Sequence, residues 1–296
     1  MTNKLKILVI AGPTASGKSD LAIAMAQQFN GEIISADALQ VYRHLDIGTA
    51  KISLAEQQMV PHHLIDILDM TASFSVAEFV KLADQIIADI VSRGKLPIIA
   101  GGTGFYVKAL LGEQVLDFVA SDPHEVDMLK QQPLAVLVDE LKLRDEDLSQ
   151  RVDLHNKQRV IRAIEISRHG QHDKPIQRPQ YDACVIGIDW PREVLYQRIN
   201  ARAQDMIDDG ILDEVCKILT AGGESLQAGK AIGYKEFFPY LQGHVSLSEA
   251  ITQLQQDSRR YAKRQLTYLR HQIPGLIWVQ GETAQDELTN LLKKWL

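Results

Sequence analysis

The stretch AGPTASGKSDLA, at positions 11–22, decides the fold of this chain. It contains the pattern G-x-x-x-x-G-K-[ST], which is meaningful when a strand precedes it and a helix follows it. Residues 6–11 are short, β-branched and apolar, as in a buried strand, and residues 18–29 carry apolar side chains at helical spacing. The sequence therefore predicts a phosphate-binding loop (P-loop) between a strand and a helix.

Each part of this loop has a physical role in holding an anion. Gly12 and Gly17 allow backbone N–H groups to wrap phosphate oxygens, Lys18 supplies a positive charge, and Ser19 is placed to ligate Mg²⁺, the one cofactor expected. The predicted diphosphate-binding residues of the loop are Gly12, Pro13, Thr14, Ala15, Ser16, Gly17, Lys18 and Ser19. Such loops usually bind nucleotides, ATP included, but the loop alone does not report which diphosphate it holds.

Strand and helix signals alternate through the first part of the chain. Residues 32–36 and 96–100 read as strands, the second ending in GGTG, and a helix over 75–93 is announced by the capping box of Ser75 and Glu78. This alternation predicts an α/β fold with a parallel-sheet core wrapped by helices, and ligands at the carboxyl edge of the sheet.

A charged helical region without strand signals interrupts this pattern. We expect a helical insertion domain over 116–180, with the catalytic core in two parts, 1–115 and 181–296. The second part begins with a strand over 183–189 and a helix over 192–209, and further helices extend to position 242. A long helix over 246–271, opened by the capping box of Ser246 and Glu249, a strand over 277–279 and a terminal helix follow.

Composition limits the class of protein. The 296 residues are 45% hydrophobic and 24% charged, a balance typical of a globular protein in water. No apolar run approaches the roughly 20 residues that a membrane span needs, so we expect a cytoplasmic monomer with no membrane partner. Cys184 and Cys216 have no metal or redox spacing and are interpreted as buried free thiols.

Charge is distributed unevenly along the chain. The formal net charge of −6 averages a local balance of −6 over 116–150, three basic against nine acidic residues, with a balance of +4 over 151–178, seven against three. Positions 256–273 also carry +4, five against one. These basic regions favour contacts with a polyanion, and the alternative that they are solvated helix faces stays open.

A carboxylate beside the loop is the best candidate for chemistry. Asp37 ends the second predicted strand, where its side chain can face a group bound in the loop, although strand-terminal aspartates often serve only as caps. Other candidates have simpler interpretations. Asp189 is interpreted as a strand terminus, and Asp66 and Asp69 as turn positions. His62 and His63 are interpreted as unsuited to a metal site.

Seven blocks of sequence, in order, resemble the tRNA dimethylallyltransferases, prenyltransferases that modify an adenosine next to the anticodon. They are AGPTASGKS at 11–19, SADALQVYRHLDIGTAK at 35–51, PHHLIDIL at 61–68, IIAGGTGFY at 98–106, KQRVIRAIE at 157–165, KAIGYKE at 230–236 and RRYAKRQLTYLR at 259–270. The whole set is far more specific than any one block.

The resemblance implies a reaction and assigns residues to it. The loop would hold the diphosphate of dimethylallyl diphosphate, and the dimethylallyl group would pass to the exocyclic N6 amine of the adenosine immediately 3′ of the anticodon, with release of pyrophosphate. Asp37 corresponds to the family's general base and Thr103 to its substrate-facing threonine. Arg198 and Arg202, one helical turn apart, would close on the diphosphate, unless they are simply solvated. The residues that would take part in catalysis are Asp37, Thr103, Lys18 and Arg202.

The second substrate implied is tRNA, bound through its anticodon stem-loop. The positions that match the family's tRNA-facing segments are Asp37, Ala38, Leu39, Gln40, Thr103, Gln158, Arg159, Val160, Ile161, Arg162, Lys230, Gly233, Tyr234, Lys235, Lys263, Arg264, Gln265 and Arg270. On an ideal helix Arg259, Lys263 and Arg270 form one stripe. Without the resemblance, GGTG would read as an ordinary turn.

Two positions depart from the family's pattern. Members often carry an arginine shortly after the Asp-Pro that opens the insertion, whereas Asp122-Pro123 is followed here by His124, which removes the support for a tRNA contact at that point. Tyr268 stands where tryptophan is commoner, and it preserves an aromatic surface.

Two other functions fit the loop alone. A small-molecule or nucleotide kinase would use it for ATP, but the sequence offers neither a clear second metal carboxylate nor an arginine-rich lid. A nucleotide-switched RNA-binding protein is disfavoured because a candidate base, Asp37, lies beside the loop. The prenyltransferase reading predicts turnover with no requirement for ATP.

Overall fold

The computed structural model describes residues 4–114, 116, 121–169 and 178–296. Contacts divide the chain into two compact units, Met1–Gln114 with Pro179–Leu296, and Val115–Arg178. The first unit contains the sheet and the second is helical where it is described.

The sheet has six parallel strands in the described part of the chain, which confirms the α/β class. In the order β3-β2-β4-β1-β5-β6, it is built from β1 (Leu5–Ala11), β2 (Gly31–Ser35), β3 (His62–His63), β4 (Leu96–Gly101), β5 (Tyr181–Asp189) and β6 (Ile277–Gln280). The central strands are almost completely buried because helices cover both faces, the usual setting of a parallel sheet.

Helices connect and cover these strands. In chain order they are α1 (Lys18–Gln28), α2 (Leu54–Met59), α3 (Val76–Ser92), α4 (Gly104–Leu110), α5 (Pro123–Gln131), α6 (Leu134–Arg144), α7 (Glu146–Arg151), α8 (Lys157–His169), α9 (Arg192–Asp208), α10 (Ile211–Ala221), α11 (Phe238–Leu241), α12 (Leu247–Gln272) and α13 (Ala284–Trp295). Short 3₁₀ turns at Gly223–Ser225, Ala228–Lys230 and Lys235–Phe237 join α10 to α11.

Strand register places the loops that matter at one edge of the sheet. Ala11, the last residue of β1, pairs with Gly101 at the end of β4 and with Gly187 near the end of β5. Ser35 at the end of β2 pairs with Ala100. The segments that follow these four strands therefore start beside one another, at the carboxyl edge.

Helix starts show which sequence signals were reliable. Capping boxes at Ser75 and Ser246 begin α3 and α12, as predicted, because each serine accepts a backbone N–H and each N3 glutamate accepts another. A third capping box, Ser53 with Glu56, begins α2, which was not predicted. The strand β3 was also missed, since two residues are too few to show a periodic pattern.

Histidines and cysteines follow the predictions with one exception. His63 Nε2 lies 2.8 Å from Glu32 Oε2 and His62 Nδ1 lies 2.8 Å from the Val60 carbonyl, so the two rings point to different partners. Cys184 is buried, and burial raises the pKa of its thiol to about 11. The prediction for Cys216 was wrong: it is exposed, on the outer face of α10.

The second unit has its own small apolar core. Leu137 and Leu141 of α6 pack with Val160 and Ile164 of α8. Arg168 lies between Glu125 and Glu140, with N–O distances of 2.6 and 2.5 Å. Its hydrogen bond to Glu125 lowers the pKa of that carboxyl. Ion pairs therefore tie three of its helices together around the core.

No helix in the described ranges is long and apolar enough to cross a membrane.

Candidate active site

A cavity of about 940 Å³ opens at the carboxyl edge of the sheet, entirely within the first unit. Its walls come from the P-loop, from the segment after β2, from the turn after β4, and from α9 and α12. Residues 230–233 and Lys235, in and between two of the 3₁₀ turns, complete the rim. The register of the strands explains why these segments, far apart in sequence, line one cavity.

The P-loop has the backbone conformation that anion binding requires. Gly17 caps α1 in the left-handed region, with φ 84°, and Ala15 also has a positive φ of 62°. The hydroxyl of Ser16 is buried and makes no hydrogen bond within the described ranges. A buried donor without a partner is costly, which is consistent with a ligand oxygen as its acceptor.

Two cations line this loop without a carboxylate partner. Lys18 Nζ donates to the Pro13 carbonyl at 2.6 Å, and Arg202 Nη1 donates to Thr14 Oγ1 at 2.8 Å. Burial lowers the pKa of Lys18 to about 8, an effect that the charge of Asp37 partly offsets, and burial also lowers the pKa of Arg202. Neither forms an ion pair within 4.0 Å across the residues described. Such cations stabilise a bound anion.

Arg198 lies on the outer side of the loop. Its Nε donates to the Ala15 carbonyl at 2.8 Å, and its guanidinium lies over the ring of Trp190, 4.7 Å from the centroid. The Trp190 indole N–H donates to the Ser16 carbonyl at 3.0 Å. Trp190 thus orients both the loop and Arg198, a role that sequence reasoning missed because only the fold brings position 190 to the loop.

Asp37 and Thr103 line the same cavity. Asp37 Oδ1 accepts the backbone N–H of Leu39 at 2.9 Å and that of Gln40 at 3.4 Å. Thr103 Oγ1 accepts the N–H of Ala38 at 3.3 Å. Asp37 is therefore a turn cap through one oxygen, while Oδ2 takes no hydrogen bond from any residue that the structure describes. That oxygen is open to a proton from a substrate.

The cavity suits Mg²⁺ in its donor chemistry. The Ser19 hydroxyl and the carboxylates of Asp20 and Asp37 line it, and oxygen ligands are those that Mg²⁺ prefers. Over the described residues, no group of three His, Cys, Asp or Glu side chains could hold a metal by itself. A Mg²⁺ at Ser19 would therefore complete its coordination with phosphate oxygens and water, as is usual for this ion.

A buried acid that sequence reasoning missed holds one wall in place. Glu214 of α10 accepts the backbone N–H groups of Asp46, Ile47 and Gly48 at 2.7, 2.9 and 3.2 Å, and the hydroxyl of Tyr234 at 2.9 Å. The sequence contained a signal for burial of this acid, because position 214 falls on the apolar stripe of an amphipathic helix.

This wall in turn orients the segment after β2. The Gln40 side chain donates to the carbonyls of Thr49 and Ala50, and its oxygen accepts the Ser35 hydroxyl at 2.9 Å. The amide of Gln40 is thereby held between the strand end and the wall.

The expected tRNA-facing residues of the first unit separate into two groups. Lys230, Lys235 and Arg264 line the cavity, and Lys263 and Arg270 are exposed on α12. One expectation needs correction, since Tyr234 is completely buried against Glu214, which satisfies its hydroxyl in the protein interior. Gln265 lines the cavity, but its amide donates to the carbonyl of Gly102.

The predicted cationic stripe on α12 is also interrupted. Arg259 donates to Asn200 Oδ1 of α9 at 2.5 Å, so it packs against the neighbouring helix instead of facing outward. Arg270 lies 3.3 Å from Asp189 and over the ring of Trp278. Asp189 is the last residue of β5, as interpreted.

In the second unit, only some residues of the block 158–162 are exposed to solvent. Gln158 and Arg159 are exposed and Arg162 is half-buried. The expectation for Val160 and Ile161 needs correction, because both are buried in the apolar core, as the helical period requires of two neighbouring apolar positions.

Comparisons with known proteins show the family of this chain. Residues 40–272 match the model of a family described as IPP transferase, and residues 5–70 match that of isopentenyl transferase. The chain is 69% identical to a tRNA dimethylallyltransferase of Leuconostoc citreum, over 98% of this chain and 99% of that protein.

Solved structures show the same likeness. The tRNA isopentenylpyrophosphate transferase of Bacillus halodurans is 40% identical, with a TM-score of 0.74 over 98% of this chain and 96% of that one. A eukaryotic dimethylallyltransferase acting on tRNA is 28% identical, with a TM-score of 0.81 over 93% and 74%. This chain therefore belongs to the IPP transferase family, whose members it matches in sequence over nearly its whole length.

Proposed function

We propose that this enzyme transfers the dimethylallyl group of dimethylallyl diphosphate to the N6 amine of the adenosine immediately 3′ of the anticodon in tRNA, releasing pyrophosphate. The observation that carries the proposal is one cavity lined both by two P-loop cations, which form no ion pair among the described residues, and by Asp37 and Thr103. Family membership supplies the prenyl and tRNA chemistry.

The P-loop side binds the leaving group. The diphosphate takes its hydrogen bonds from backbone N–H groups of residues 15–19, from the Ser16 hydroxyl, and from Lys18 and Arg202. As the bond between the prenyl carbon C1 and the diphosphate oxygen breaks, its electron pair passes to the diphosphate. Preorganised donors and cations stabilise this growing negative charge without having to reorganise. Mg²⁺ at Ser19 supplies further positive charge there when bound.

Asp37 acts on the nucleophile, the N6 amine of adenine. The N6 nitrogen of adenine forms the new bond to C1 and becomes cationic, and Asp37 Oδ2 accepts the proton that the nitrogen then loses. Such a positioned base contributes about 10² to 10⁴ in rate. The Thr103 hydroxyl accepts the backbone N–H of Ala38, the residue after Asp37, and Thr103 contacts the target nucleotide. The base must leave the anticodon stack to reach this cavity.

Exposed cations supply the contacts to the tRNA backbone. Lys263 and Arg270 on α12, and Arg159 in the second unit, are the solvent-facing members of the predicted set. Phosphate contacts of this kind position the RNA, while the cavity selects the adenosine. We extend the proposal to a cytoplasmic monomer that needs no ATP, although ATP is expected to compete weakly for the loop.

The proposal is tested with an anticodon stem-loop RNA and dimethylallyl diphosphate as the only other substrate. Mass spectrometry of the RNA should show addition of one dimethylallyl group per stem-loop. The same RNA with inosine at the target position, which lacks the N6 amine, should gain nothing. Phosphoryl transfer from ATP without any prenylated RNA would contradict the proposal and favour a kinase.

A further inference from the structure

The side chain of Gln265, on α12, joins two walls of the cavity. Its Oε1 accepts the backbone N–H of Thr14 at 3.0 Å, and its Nε2 donates to the carbonyl of Gly102 at 2.8 Å. The residue is 8% exposed, and both polar atoms of the amide are therefore used inside the protein. One neutral side chain thus links the P-loop to the turn that carries Thr103.

The turn itself is shaped to receive this amide. A Cβ at Gly102 would lie 2.5 Å from Gln265 Nε2, and a Cβ at Gly104 would lie 2.6 Å from the Tyr268 ring. Gly102 and Gly104 therefore let α12 approach the turn closely. Their function here is packing, and the hydrogen-bonding groups next to them belong to α12 and not to a ligand.

The link connects the two halves of the proposed reaction. Thr14 belongs to the loop that would hold the diphosphate, and its hydroxyl also accepts from Arg202. Gly102 directly precedes Thr103, whose hydroxyl accepts the Ala38 N–H next to Asp37. A shift of the P-loop against this turn would change the distance between the prenyl carbon and the attacking nitrogen.

We propose that Gln265 is a positioning residue that fixes the P-loop relative to the Gly102–Thr103 turn, and so sets the distance between the two substrates. The proposal rests on the proposed prenyl transfer for its kinetic readout. An amide suits the task because it offers one acceptor and one donor in a single plane. A misplacement of about 1 Å can cost about 10²-fold in rate.

Two variants break the link from opposite sides. Gln265→Met keeps the length of the side chain and removes both hydrogen bonds. Gly102→Ala places a methyl group where the amide now lies, and only the end of a flexible side chain has to move. Each should lower kcat about 10- to 100-fold with little change in KM for the RNA. The double variant should be no worse than the poorer single one, because both remove the same link.

A third variant gives a pH signature. In Gln265→Glu the introduced carboxyl can replace the Gly102 hydrogen bond only when it is protonated. Its activity relative to wild type should therefore rise as the pH falls, whereas the ratio for Gln265→Met should stay flat. The charged or titratable groups that line the same cavity, and that are common to all variants, are Lys18, Asp20, Asp37, Lys51, Glu56, Arg198, Arg202, Asp205, Lys230, Lys235, Tyr261 and Arg264.

The experiment combines single-turnover kinetics with hydrogen exchange of the Thr14 amide. Gln256→Glu, at an exposed position on the opposite face of α12, is the matched control and should keep wild-type kcat. The proposal predicts slow Thr14 exchange in wild type, fast exchange in Gln265→Met, and the kcat losses given above. Wild-type kcat with unchanged exchange in Gln265→Met would overturn it, as would a change confined to KM for the RNA.

Two further results separate this proposal from the proposed function. If wild type transfers no prenyl group, the proposed function fails, and Thr14 exchange alone decides whether the link exists. If Gln265→Met does not fold, Gly102→Ala decides, since its substitution displaces only the amide.

Discussion

Two cations at the P-loop and two in the second unit are held in opposite ways. Among the described residues, Lys18 and Arg202 bond to a carbonyl and a hydroxyl and to no carboxylate, and they face a cavity. Arg168 and Arg162 in the second unit form ion pairs with glutamates of their own unit. The sequence counts both as positive charge, yet only the first pair is available to a buried anion.

The comparison shows why local charge is a poor guide to binding. Over 151–178 the balance of +4 suggested a polyanion surface, but Arg159 and Arg162 lie 3.7 and 3.6 Å from Asp153 and Glu165. The pair of Arg159 with Asp153 is exposed, and such pairs are worth little to stability and dissociate readily, whereas Glu165 is buried. In the cavity, by contrast, burial removes Lys18 from water and lowers its pKa. A bound anion would therefore interact more strongly with this ammonium than with one in water.

The largest effect is expected from removing a cavity cation. Lys18→Met should lower kcat/KM about 10²- to 10³-fold, because it deletes a preorganised charge at the leaving group. Steady-state kinetics with an anticodon stem-loop measures the change. Lys18→Arg, which keeps the charge in a different shape, should recover part of the loss. A loss below threefold in Lys18→Met would remove this residue from the diphosphate site.

The pH dependence of diphosphate affinity should follow the lowered pKa of Lys18. Because the ammonium is lost above about pH 8, inorganic pyrophosphate should bind about tenfold more weakly for each unit of pH above that value. Titration calorimetry from pH 7 to 10 measures this, and proton uptake on binding is expected near pH 8. Lys18→Met should lose this part of the dependence and keep the part that comes from the ionisation of pyrophosphate itself.

The same shift has a defined sign for stability. Between about pH 8 and the model-compound value of 10.5, the unfolded chain keeps a proton on Lys18 that the folded chain has lost. Burial of this group opposes folding at lower pH, and that destabilising contribution shrinks as the pH rises through the window.

Removing an ion-paired cation should lower the free energy of unfolding and leave kcat nearly unchanged. Arg168→Met leaves Glu125 and Glu140 without their shared partner, so the second unit should lose about 1–3 kcal/mol of its free energy of unfolding. Urea denaturation measures this loss. The kcat of the folded variant should stay within about twofold of wild type. A large fall in kcat at unchanged stability would mean that the two regions are not distinct.

The smallest effect is expected at an exposed, paired cation. Arg159→Ala should reduce the slope of log affinity against log salt concentration for tRNA by about 1, with kcat unchanged. Filter binding over a range of salt concentrations measures the slope. Arg144→Ala, at another surface ion pair of the same unit, is the control and should leave the slope as it is. Equal slopes for wild type and Arg159→Ala would place the RNA elsewhere.

Much of the fold was predictable because its signals are local. The P-loop, two of the capping boxes and the long strands depend on residues close in sequence, and they were found within a few residues of their observed bounds. The carboxyl edge followed from the rule that parallel strands gather their loops there. The family resemblance then grouped Asp37 and Thr103, which the structure places side by side.

What sequence reasoning missed depends on contacts between distant positions. The block KAIGYKE does not reveal that Tyr234 bonds to Glu214 in the interior, nor does RRYAKRQLTYLR reveal that Gln265 bonds to Thr14, 251 positions away. Motif resemblance assigns a whole block to one partner, whereas a helix turns neighbouring residues to different faces. Val160 and Ile161 lie in the core for this reason.

The measurement that tests the account most directly follows both halves of the donor in one reaction. Dimethylallyl diphosphate labelled with ¹⁴C in the prenyl group and ³²P in the diphosphate is incubated with wild-type enzyme, Mg²⁺ and an anticodon stem-loop RNA, without ATP. The account predicts ¹⁴C in the RNA and an equal amount of ³²P released as pyrophosphate, with both lost together in Lys18→Met. Release of ³²P without ¹⁴C in the RNA, or transfer of ³²P to the RNA, would contradict it.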